Sequence, residues 1–305
     1  MCFCGIDCSC YTSSVSIVDE SGKVLVDARR PLPVKDGQKG LRQSEMVFAH
    51  IKNLSEIFPE GFSGFRAVAA SVRPRPVEGS YMPVFAVSES YGKAVARSCG
   101  AAFHPLTHQH GHIGAALIGQ KMEGTFLALH VSGGTTDLLQ VTVEEGIIRE
   151  ILALGGTQDI AAGQLIDRVG QALCLPFPSG PKLTELAQEG EAKVIRSYVK
   201  GLSVSFSGAE TAAKRFLQQG MPAEDAAASV LKCIGKTLEK LIQNAWRQTG
   251  RQRVLLFGGV MSSAYLRAFL QKRLWGLSFA EVRYASDNAC GLAAQARNMA
   301  LTEGN

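Results

Sequence analysis

The chain has no apolar run long enough to span a bilayer, and it does not begin with a basic segment followed by a long apolar one. Low-complexity segments are also absent, which predicts that nearly all of its 305 residues are folded. These absences argue against an integral membrane protein and against a secreted one. We therefore expect a cytoplasmic protein that does not associate with membranes.

The composition is that of a globular protein with a sizeable core, with 46% hydrophobic and 19% charged residues. At this length the chain is expected to form two domains or two subdomains. The net charge of +5 and the pI near 8.8 permit contact with nucleic acid without requiring it.

The eight cysteines are expected to be reduced thiols in such a compartment. Four of them flank Asp7 in a C-x-C…C-x-C pattern: Cys2, Cys4, Cys8 and Cys10. Their spacing matches no common zinc or iron–sulfur signature, and alternate residues of a strand face opposite sides, so we favour buried thiols over a metal cluster. The others lie among apolar neighbours and are predicted to be core residues: Cys99, Cys174, Cys233 and Cys290.

Residues 126–141, FLALHVSGGTTDLLQV, predict a β-hairpin with a small polar turn. Backbone N–H groups and hydroxyls of such a turn can approach a phosphate, although a purely structural turn is the alternative. Residues 3–18 have the same layout, with Asp7 on the first strand, and a third strand follows each hairpin. This repetition predicts an internal duplication of βββα-type domains. The turn of the hairpin at 126–141 consists of Ser132, Gly133, Gly134, Thr135 and Thr136.

Three of the six histidines fall in the segment THQHGH. His108 and His112 are four residues apart, so on a helix both imidazoles project from one face, a spacing that suits a shared metal ion. His110 would point elsewhere. The spacing favours metal binding over a purely structural role, with a third ligand from elsewhere in the chain. Zinc, iron and manganese all fit such ligands.

Periodicity and turn residues predict the remaining elements. In the first half, a helix is expected at 41–58, with Ser44 as its N-cap. Arg73 and Arg75 are expected in an extended loop that is either solvated or in contact with phosphates. The end of the helix at 223–249 is basic and is expected to be a solvated face. The other predicted helices are 89–99, 113–118, 157–175, 182–200, 210–219, 264–274 and 289–300, and the other strands are 66–72, 101–105, 254–257 and 282–285.

Several residues in the second half could contact a ligand. Asp167 is expected on the 157–175 helix, together with Asp159. It lies among apolar positions and needs a partner, either a ribose hydroxyl or an arginine such as Arg168. Gly258 and Gly259 join a strand to a helix, and such a turn can pack against an adenine ring. For Asp287, which follows a predicted strand, a metal-ligand role and an N-cap role are both open.

Eight motifs together resemble the TsaD/Gcp-like proteins, the catalytic subunits of tRNA threonylcarbamoyladenosine synthesis. They are GIDCSC, HQHGH, VSGGTT, AAGQLIDRVG, PFPSGP, SFSGAET, LLFGGVMSSAYLR and ASDNACGLAA, in the order and at the spacings of that family. The resemblance implies an α/β ASKHA fold, that of actin, sugar kinases and Hsp70, with two duplicated lobes around a nucleotide cleft. We expect the lobes at residues 1–118 and 119–305, with a helical insertion at about 160–250.

The same resemblance implies an acyltransferase that moves threonylcarbamoyl from its AMP adduct to A37 of tRNA. It implies one divalent metal, iron or zinc foremost, held by His108, His112 and Asp287, and an adenine nucleotide or threonylcarbamoyl-AMP as ligand. TsaB-like and TsaE-like partners are implied as well, with a homo- or heterodimer through the N-terminal lobe. The positions that resemble substrate- or nucleotide-contacting ones are Asp7, Ser132, Gly133, Gly134, Thr135, Thr136, Asp167, Gly180, Gly258, Gly259 and Ser263.

The sequence departs from the family pattern at several of these positions. Thr135 stands where the family has a histidine, Ser263 where it has an asparagine and Ser179 where it has a glycine. Residues 73–83 replace a G-P-G-L segment, and the region around 42–50 resembles TsaB instead. These departures leave a non-catalytic nucleotide-binding subunit as the alternative. A sugar-type kinase would need a base such as Asp137, and a metallopeptidase is disfavoured because Gln109 replaces the glutamate of H-E-x-x-H.

Overall fold

The computed structural model describes residues 1–9, 11–32, 41–62 and 64–303. Twelve strands are found among them. They are β1 Cys2–Cys8, β2 Thr12–Asp19, β3 Val24–Pro31, β4 Phe65–Arg73, β5 Ala102–Thr107, β6 Gly124–Val131, β7 Thr136–Glu144, β8 Ile147–Thr157, β9 Tyr198–Lys200, β10 Ser203–Ser205, β11 Val254–Phe257 and β12 Leu277–Phe279.

Nine α-helices occur in the same described ranges. They are α1 Gln43–Ile57, α2 Phe85–Cys99, α3 His108–Leu117, α4 Ala162–Ala172, α5 Gly180–Leu186, α6 Ser207–Gln218, α7 Ala223–Thr249, α8 Ala264–Gln271 and α9 Cys290–Thr302. Short 3-10 helices cover Gly259–Ser262 and Val282–Tyr284. No helix in the described part of the chain is long and apolar enough to cross a membrane.

The chain divides into two compact units that are discontinuous in sequence. The first comprises residues 1–124, 143–149 and 286–305, and the second comprises residues 125–142 and 150–285. The lobe boundary predicted at 118/119 and the helical insertion predicted at 160–250 stay predictions.

The first unit is built on a five-stranded sheet of order β3-β2-β1-β4-β5. Strand β1 is buried because both its faces are covered by apolar side chains. Phe3 packs with Leu292 and other residues of α9. On the other face, Cys4 and Cys8 pack with residues of α1 and α2. These two cysteines are therefore core thiols, as predicted, and burial raises their pKa above the ordinary thiol value.

The second sheet repeats the order of the first. Its seven strands run β12-β11-β6-β7-β8-β10-β9, so β8-β7-β6-β11-β12 corresponds to β3-β2-β1-β4-β5. In both sheets the first strand of the hairpin is parallel to the neighbouring strand on its other side, β1 to β4 and β6 to β11. The repeated strand order confirms the predicted internal duplication.

Several predicted elements match the structure, and α7 and β11 match to the residue. Helix α1 is also found, but the prediction that Ser44 caps it was wrong. The helix begins at Gln43, so Ser44 lies within the first turn. The backbone N–H of Arg42, the N-cap residue, donates to the Glu45 side chain, so this donor at the start of the helix has a partner.

The predicted helix at 157–175 begins later than expected. Strand β8 extends to Thr157, and α4 starts only at Ala162, so Asp159 is not on the helix. Gly155 and Gly156 continue the strand because neighbouring backbone passes very close to them. A Cβ on Gly155 would lie 2.1 Å from the carbonyl oxygen of Leu202, and one on Gly156 would lie 2.3 Å from that of Thr136.

Two further predictions were wrong. The helix expected over 182–200 ends at Leu186 and is followed by irregular structure and β9. The chain there packs closely on the start of α7, since a Cβ on Gly190 would lie 2.1 Å from the carbonyl oxygen of Glu224. The strand expected at 282–285 is a 3-10 helix, and the edge strand beside β11 is β12, Leu277–Phe279, instead.

Candidate metal centre and ligand loops

Helix α3 places two imidazoles on one face. Thr107 is its N-cap, and its side-chain oxygen accepts a hydrogen bond from the backbone N–H of His110. The helix therefore begins at His108, and His112 follows one turn later. His110 points away and its ring nitrogen Nδ1 lies 2.6 Å from Thr107 Oγ1. The geometry expected from the four-residue spacing is thus present.

Glycines let three elements meet closely around this helix. A Cβ on Gly291 of α9 would lie 1.9 Å from the carbonyl oxygen of Gly111, and one on Gly114 would lie 2.7 Å from that of Gly291. Strand β1 approaches α9 in the same way, because a Cβ on Gly5 would lie 2.4 Å from the carbonyl oxygen of Ala289. This packing brings the segment before α9, with Asp287, to the histidine face of α3.

The side chains of His108, His112 and Asp287 converge. The Nε2 atoms of the two histidines are 3.0 Å apart, and Asp287 Oδ1 lies 3.2 Å from His112 Nε2 and 3.8 Å from His108 Nε2. One ligand atom from each residue lies within 4.8 Å of the others. Two imidazoles and one carboxylate form a donor set typical of iron(II) and zinc sites.

Asp7 lies behind His108 and orients it. Both carboxylate oxygens of this buried residue are 3.0 Å from His108 Nδ1, which therefore donates a hydrogen bond. A proton fixed on Nδ1 leaves Nε2 as the atom available to a metal. The contact of Asp7 with a nucleotide, which the family resemblance implies, stays a prediction. The structure places Asp7 against the candidate metal centre.

Ser9 orients Asp287. Its hydroxyl donates to Asp287 Oδ2 at 2.6 Å. The backbone carbonyl of Ser9 accepts a hydrogen bond from His50 Nε2 at 2.7 Å. Burial lowers the pKa of His50 and favours its neutral form, in which Nδ1 accepts from the Ser13 hydroxyl at 2.8 Å. Asn53 Nδ2 lies 3.2 Å from Ser13 Oγ and donates to it. This buried network holds the loop that carries Ser9.

The ionisable side chains of the candidate metal centre shift one another's pKa values. Burial alone would lower the pKa of His108, but the charges of Asp7 and Asp287 and the hydrogen bond to Asp7 raise it to about 9. Burial opposes ionisation of Asp287, yet its hydrogen bonds and the nearby histidines hold its pKa well below the usual range. Protonated His108 therefore balances part of the negative charge of Asp7 and Asp287, and a metal ion bound at Nε2 would take the place of the proton there.

The other sequence-based alternatives fare differently. In the described part of the chain, this is the one cluster of three or more metal-ligating side chains, and Cys10 lies outside the described residues. Asp287 does not cap α9. The N-cap residue is Ala289, and the Asn288 side chain before it accepts from the backbone N–H of Cys290 at 2.9 Å.

In the second unit, the turn at 132–136 is held against the start of α4. The backbone N–H of Gly163 donates to the carbonyl oxygen of Ser132 at 3.1 Å, and that of Ala162 donates to Thr136 Oγ1 at 3.0 Å. Ser132 also accepts from the Thr135 backbone N–H through its hydroxyl. Gly133 and Gly134 are exposed, and no atom would obstruct a Cβ there. The turn thus presents open backbone at a fixed position.

The Gly258–Gly259 turn leaves the same edge of the sheet. Strands β6 and β11 are parallel, with His130 opposite Phe257, so the two turns follow neighbouring strand ends. Gly258 has φ +97°, and a Cβ on it would lie 2.4 Å from the Val131 carbonyl oxygen. Crevices at the carboxyl ends of parallel strands are the usual ligand sites of such sheets. Ser263 caps α8 and accepts from Thr184 Oγ1 at 3.1 Å.

Asp167 has a backbone partner. Its Oδ1 accepts from the Ser179 N–H at 2.9 Å, immediately before Gly180 begins α5, and burial raises its pKa. Arg168, a predicted partner, pairs instead with Glu210 at 2.8 Å. A cavity of about 450 Å³ adjoins this pair and is lined by Asp167, Arg168, Gln171, Cys174, Leu175, Phe177 and Ser179.

Two sets of side-chain contacts could not be predicted from the sequence. Ser9 and His50 carry no motif spacing that relates them to Asp287, because their contacts are long-range. Asp159, predicted on a helix, instead anchors a loop by accepting from the Ser205 hydroxyl and from the backbone N–H groups of Phe206 and Ser207. This exposed carboxylate therefore has a structural role, because its acceptor capacity is used to hold the loop.

Known proteins resemble the chain in sequence and in fold. Residues 62–294 match the family model TsaD: tRNA N6-adenosine threonylcarbamoyltransferase. A tRNA N6-adenosine threonylcarbamoyltransferase from Corynebacterium diphtheriae is 31% identical, over 94% of this chain and 87% of the relative.

Solved structures of other proteins share the architecture. Component A of (R)-2-hydroxyglutaryl-CoA dehydratase from Acidaminococcus fermentans has a TM-score of 0.58, at 17% identity and with 99% of each chain covered. A ROK family protein from Streptococcus pneumoniae has a TM-score of 0.60, at 12% identity, with 100% of this chain and 99% of that one covered. These neighbours confirm the expected ASKHA fold. The chain belongs to the TsaD family of tRNA N6-adenosine threonylcarbamoyltransferases.

Proposed function

We propose that this protein transfers a threonylcarbamoyl group from threonylcarbamoyl-AMP to the N6 amine of A37 in tRNA. The proposal rests on the convergence of His108, His112 and Asp287 in a chain of the TsaD family. Hydrogen bonds from outside this trio orient two of the three side chains, His108 through Asp7 and Asp287 through Ser9. No observation favours the alternative non-catalytic subunit.

The reaction is an acyl transfer. The N6 amine attacks the carbamoyl carbonyl carbon, the new C–N bond forms, the bond to the AMP phosphate oxygen breaks, and the amine loses a proton. Because the mixed anhydride is already activated, the protein chiefly has to hold the reactants in a productive orientation and stabilise developing charge. Neither task requires a nucleophilic side chain.

The residues of the first unit fit a divalent metal. Its ligands would be His108 Nε2, His112 Nε2 and Asp287, and a bound ion supplies positive charge toward oxygens of the substrate. Asp7 holds His108 in the required tautomer, and Ser9 holds Asp287 in place. Iron or zinc is the proposed ion, since both accept imidazole and carboxylate ligands.

The residues of the second unit support a site for the adenylate of the donor or for another adenine nucleotide. The exposed backbone of Gly133 and Gly134 can donate to phosphate oxygens, and Asp167 can accept from a ribose hydroxyl. Thr135, which replaces the histidine of the family, keeps a hydroxyl donor. The contacts of the Gly258–Gly259 turn and of Gly180 belong to the same proposal.

TsaB-like and TsaE-like partners are part of the proposal, and so are a dimer through the N-terminal lobe and a cytoplasmic location. Helix α1 supports a dimer, because Phe48 and Ile51 are exposed by 71% and 46% on one side of it. The described cysteines are free thiols, as in a reducing compartment.

The proposal is tested by reconstitution. The purified chain, with both partners, threonine, bicarbonate, ATP and tRNA, should yield threonylcarbamoyladenosine in digested tRNA. His108→Ala should abolish the product. His110→Ala is a matched control, because the backbone N–H of residue 110 can still donate to the N-cap Thr107, and it should retain most activity. Absence of product, alongside an active TsaD control from another organism, would refute the proposal.

A further inference from the structure

Both tryptophans of the chain lie together on one surface of the second unit. The ring centroids of Trp246, at the end of α7, and Trp275, just before β12, are 5.3 Å apart at an interplanar angle of 36°. Trp275 is 59% exposed although it contacts Trp246. One part of this large ring is therefore supported by protein, and another part faces solvent.

Cations surround this pair. We define the tryptophan–arginine surface as Trp246, Arg247, Arg251, Arg253, Lys272, Arg273 and Trp275. Two segments bring these residues together, because the backbone N–H of Val254 donates to the Gly276 carbonyl oxygen at 2.9 Å and β11 pairs with β12. Glu239 adjoins the surface, with its Oε2 3.8 Å from Arg273 Nε. The seven residues of the surface include five cations and no carboxylate.

Some of these cations are held in place by the fold. The Arg273 guanidinium lies over the Phe269 ring, 3.8 Å from its centroid, and donates to the Phe269 carbonyl oxygen. Arg251 Nε donates to Gln140 Oε1 at 2.8 Å. Arg247, Arg253 and Lys272 are exposed. A preorganised cation loses less side-chain entropy on binding an anion than a flexible one does.

The surface is distinct from the ligand loops of the same unit. It adjoins the amino end of β11, whereas the turns at 132–136 and 258–259 follow the carboxyl ends of β6 and β11. Arg253 and Gly258, which flank β11, are five residue steps apart, about 17 Å at the usual rise per residue. A nucleic acid is long enough to contact both ends of the strand.

We infer that the tryptophan–arginine surface binds RNA, with Trp275 stacking on an unpaired base and the cations contacting phosphates. Exposed aromatics among cations are the usual means of binding single-stranded nucleic acid, because bases stack on the ring while charges follow the backbone. The inference rests on the proposed function, which makes a tRNA the substrate, and it adds a contact away from the reacting adenosine. The basic end of α7, which the sequence predicted to be only a solvated face, is then part of an RNA-binding surface.

The tryptophans provide a direct readout. Titration of the full chain with tRNA should quench its intrinsic fluorescence, since both fluorophores lie in the surface, and Trp275→Ala should remove most of the quenching and weaken binding roughly tenfold. Arg253→Glu with Lys272→Glu should weaken binding at least about tenfold and reduce the slope of log K against log salt by about 2. The control Lys193→Glu with Lys200→Glu changes the charge equally at other exposed positions and should bind nearly normally.

The outcomes separate this inference from the proposed function. Product formation by the wild type, together with unchanged tRNA affinity, salt slope and KM in both surface variants, would overturn the surface and leave the function intact. Quenching that polyglutamate reproduces equally would also overturn it, because a peptide offers no base to stack. Absence of product, with tRNA quenching that the surface variants lose, would refute the function and retain the surface.

Discussion

The hydroxyl of Ser9 donates to Asp287 at 2.6 Å, although 278 residues separate them in sequence. This contact joins the loop after β1 to the segment before α9 and orients a candidate metal ligand. Ser9→Ala should keep the fold and lower metal affinity about 10- to 100-fold, the range typical of lost outer-shell hydrogen bonds. The affinity can be measured by titration against a competing chelator.

Ser16→Ala is the matched control for that experiment. Ser16 is an equally buried serine on β2, and its hydroxyl contacts the Val26 carbonyl and Cys290 but no candidate ligand. It should bind metal as the wild type does. If both alanine variants bound metal with wild-type affinity, Ser9 would have no role in orienting Asp287.

Gly291→Ala should damage the metal centre without touching a ligand. The added Cβ would lie 1.9 Å from the Gly111 carbonyl oxygen, so α3 and α9 must move apart. We expect a loss of about 1–3 kcal/mol in the free energy of unfolding, as for overpacked sites, and a weaker metal site. Gly208→Ala, where no atom lies within 4 Å of the new Cβ, is the control. Wild-type stability of Gly291→Ala would contradict the packing described.

Gly163→Ala should weaken nucleotide binding in the second unit. Its Cβ would lie 2.5 Å from both Gly133 Cα and the Ser132 carbonyl oxygen, so the 132–136 turn must shift. Calorimetric titration with AMP should show a clear loss of affinity, whereas Gly208→Ala should bind normally. Unchanged AMP affinity in Gly163→Ala would argue that this turn does not hold phosphate.

His50 should make stability depend on pH below neutrality. Burial lowers the pKa of His50 beneath the ordinary value of 6.5, so the unfolded chain takes up this proton at higher pH than the folded one. Its contribution to stability is therefore present above pH 6.5 and is lost as the pH falls further. Each such proton contributes a slope of at most about 1.4 kcal/mol per pH unit.

Urea unfolding of the wild type and of His50→Gln, between pH 7.5 and pH 5, measures that slope. Glutamine keeps a donor for the Ser9 carbonyl but does not titrate, so the slope should be smaller in the variant. The slope does not vanish, because burial also lowers the pKa of His104 and of His110. Parallel curves for the two proteins would show that His50 is not the group responsible.

Much of the fold follows from local patterns in the sequence. The repeated hairpins predicted the duplication because alternation and turn residues act within a few positions. The pair His108 and His112 was predictable for the same reason, since helical spacing fixes their geometry. Gly155 and Gly156 were misleading, because glycine permits a turn and also permits close backbone approach, and only the neighbouring strand decides between them.

The arrangement around the metal centre depends on contacts that the sequence does not encode locally. Ser9 and His50 resemble any small polar residue and any helical histidine until β1, α1 and α9 pack together. The role of Gly291 is likewise visible only against Gly111. Long-range packing therefore determines the outer shell of the site, whereas local spacing determines two of its three ligands.

We propose that threonylcarbamoyl transfer requires a metal held by His108, His112 and Asp287. The most direct measurement adds metal stepwise to the metal-free protein in the reconstituted system and quantifies both bound ion and modified adenosine by mass spectrometry. We expect product to rise with the number of bound ions and to saturate at one ion per chain, and we expect His108→Ala to gain neither ion nor product. Full product formation from metal-free protein, or one bound ion per chain with no product, would contradict it.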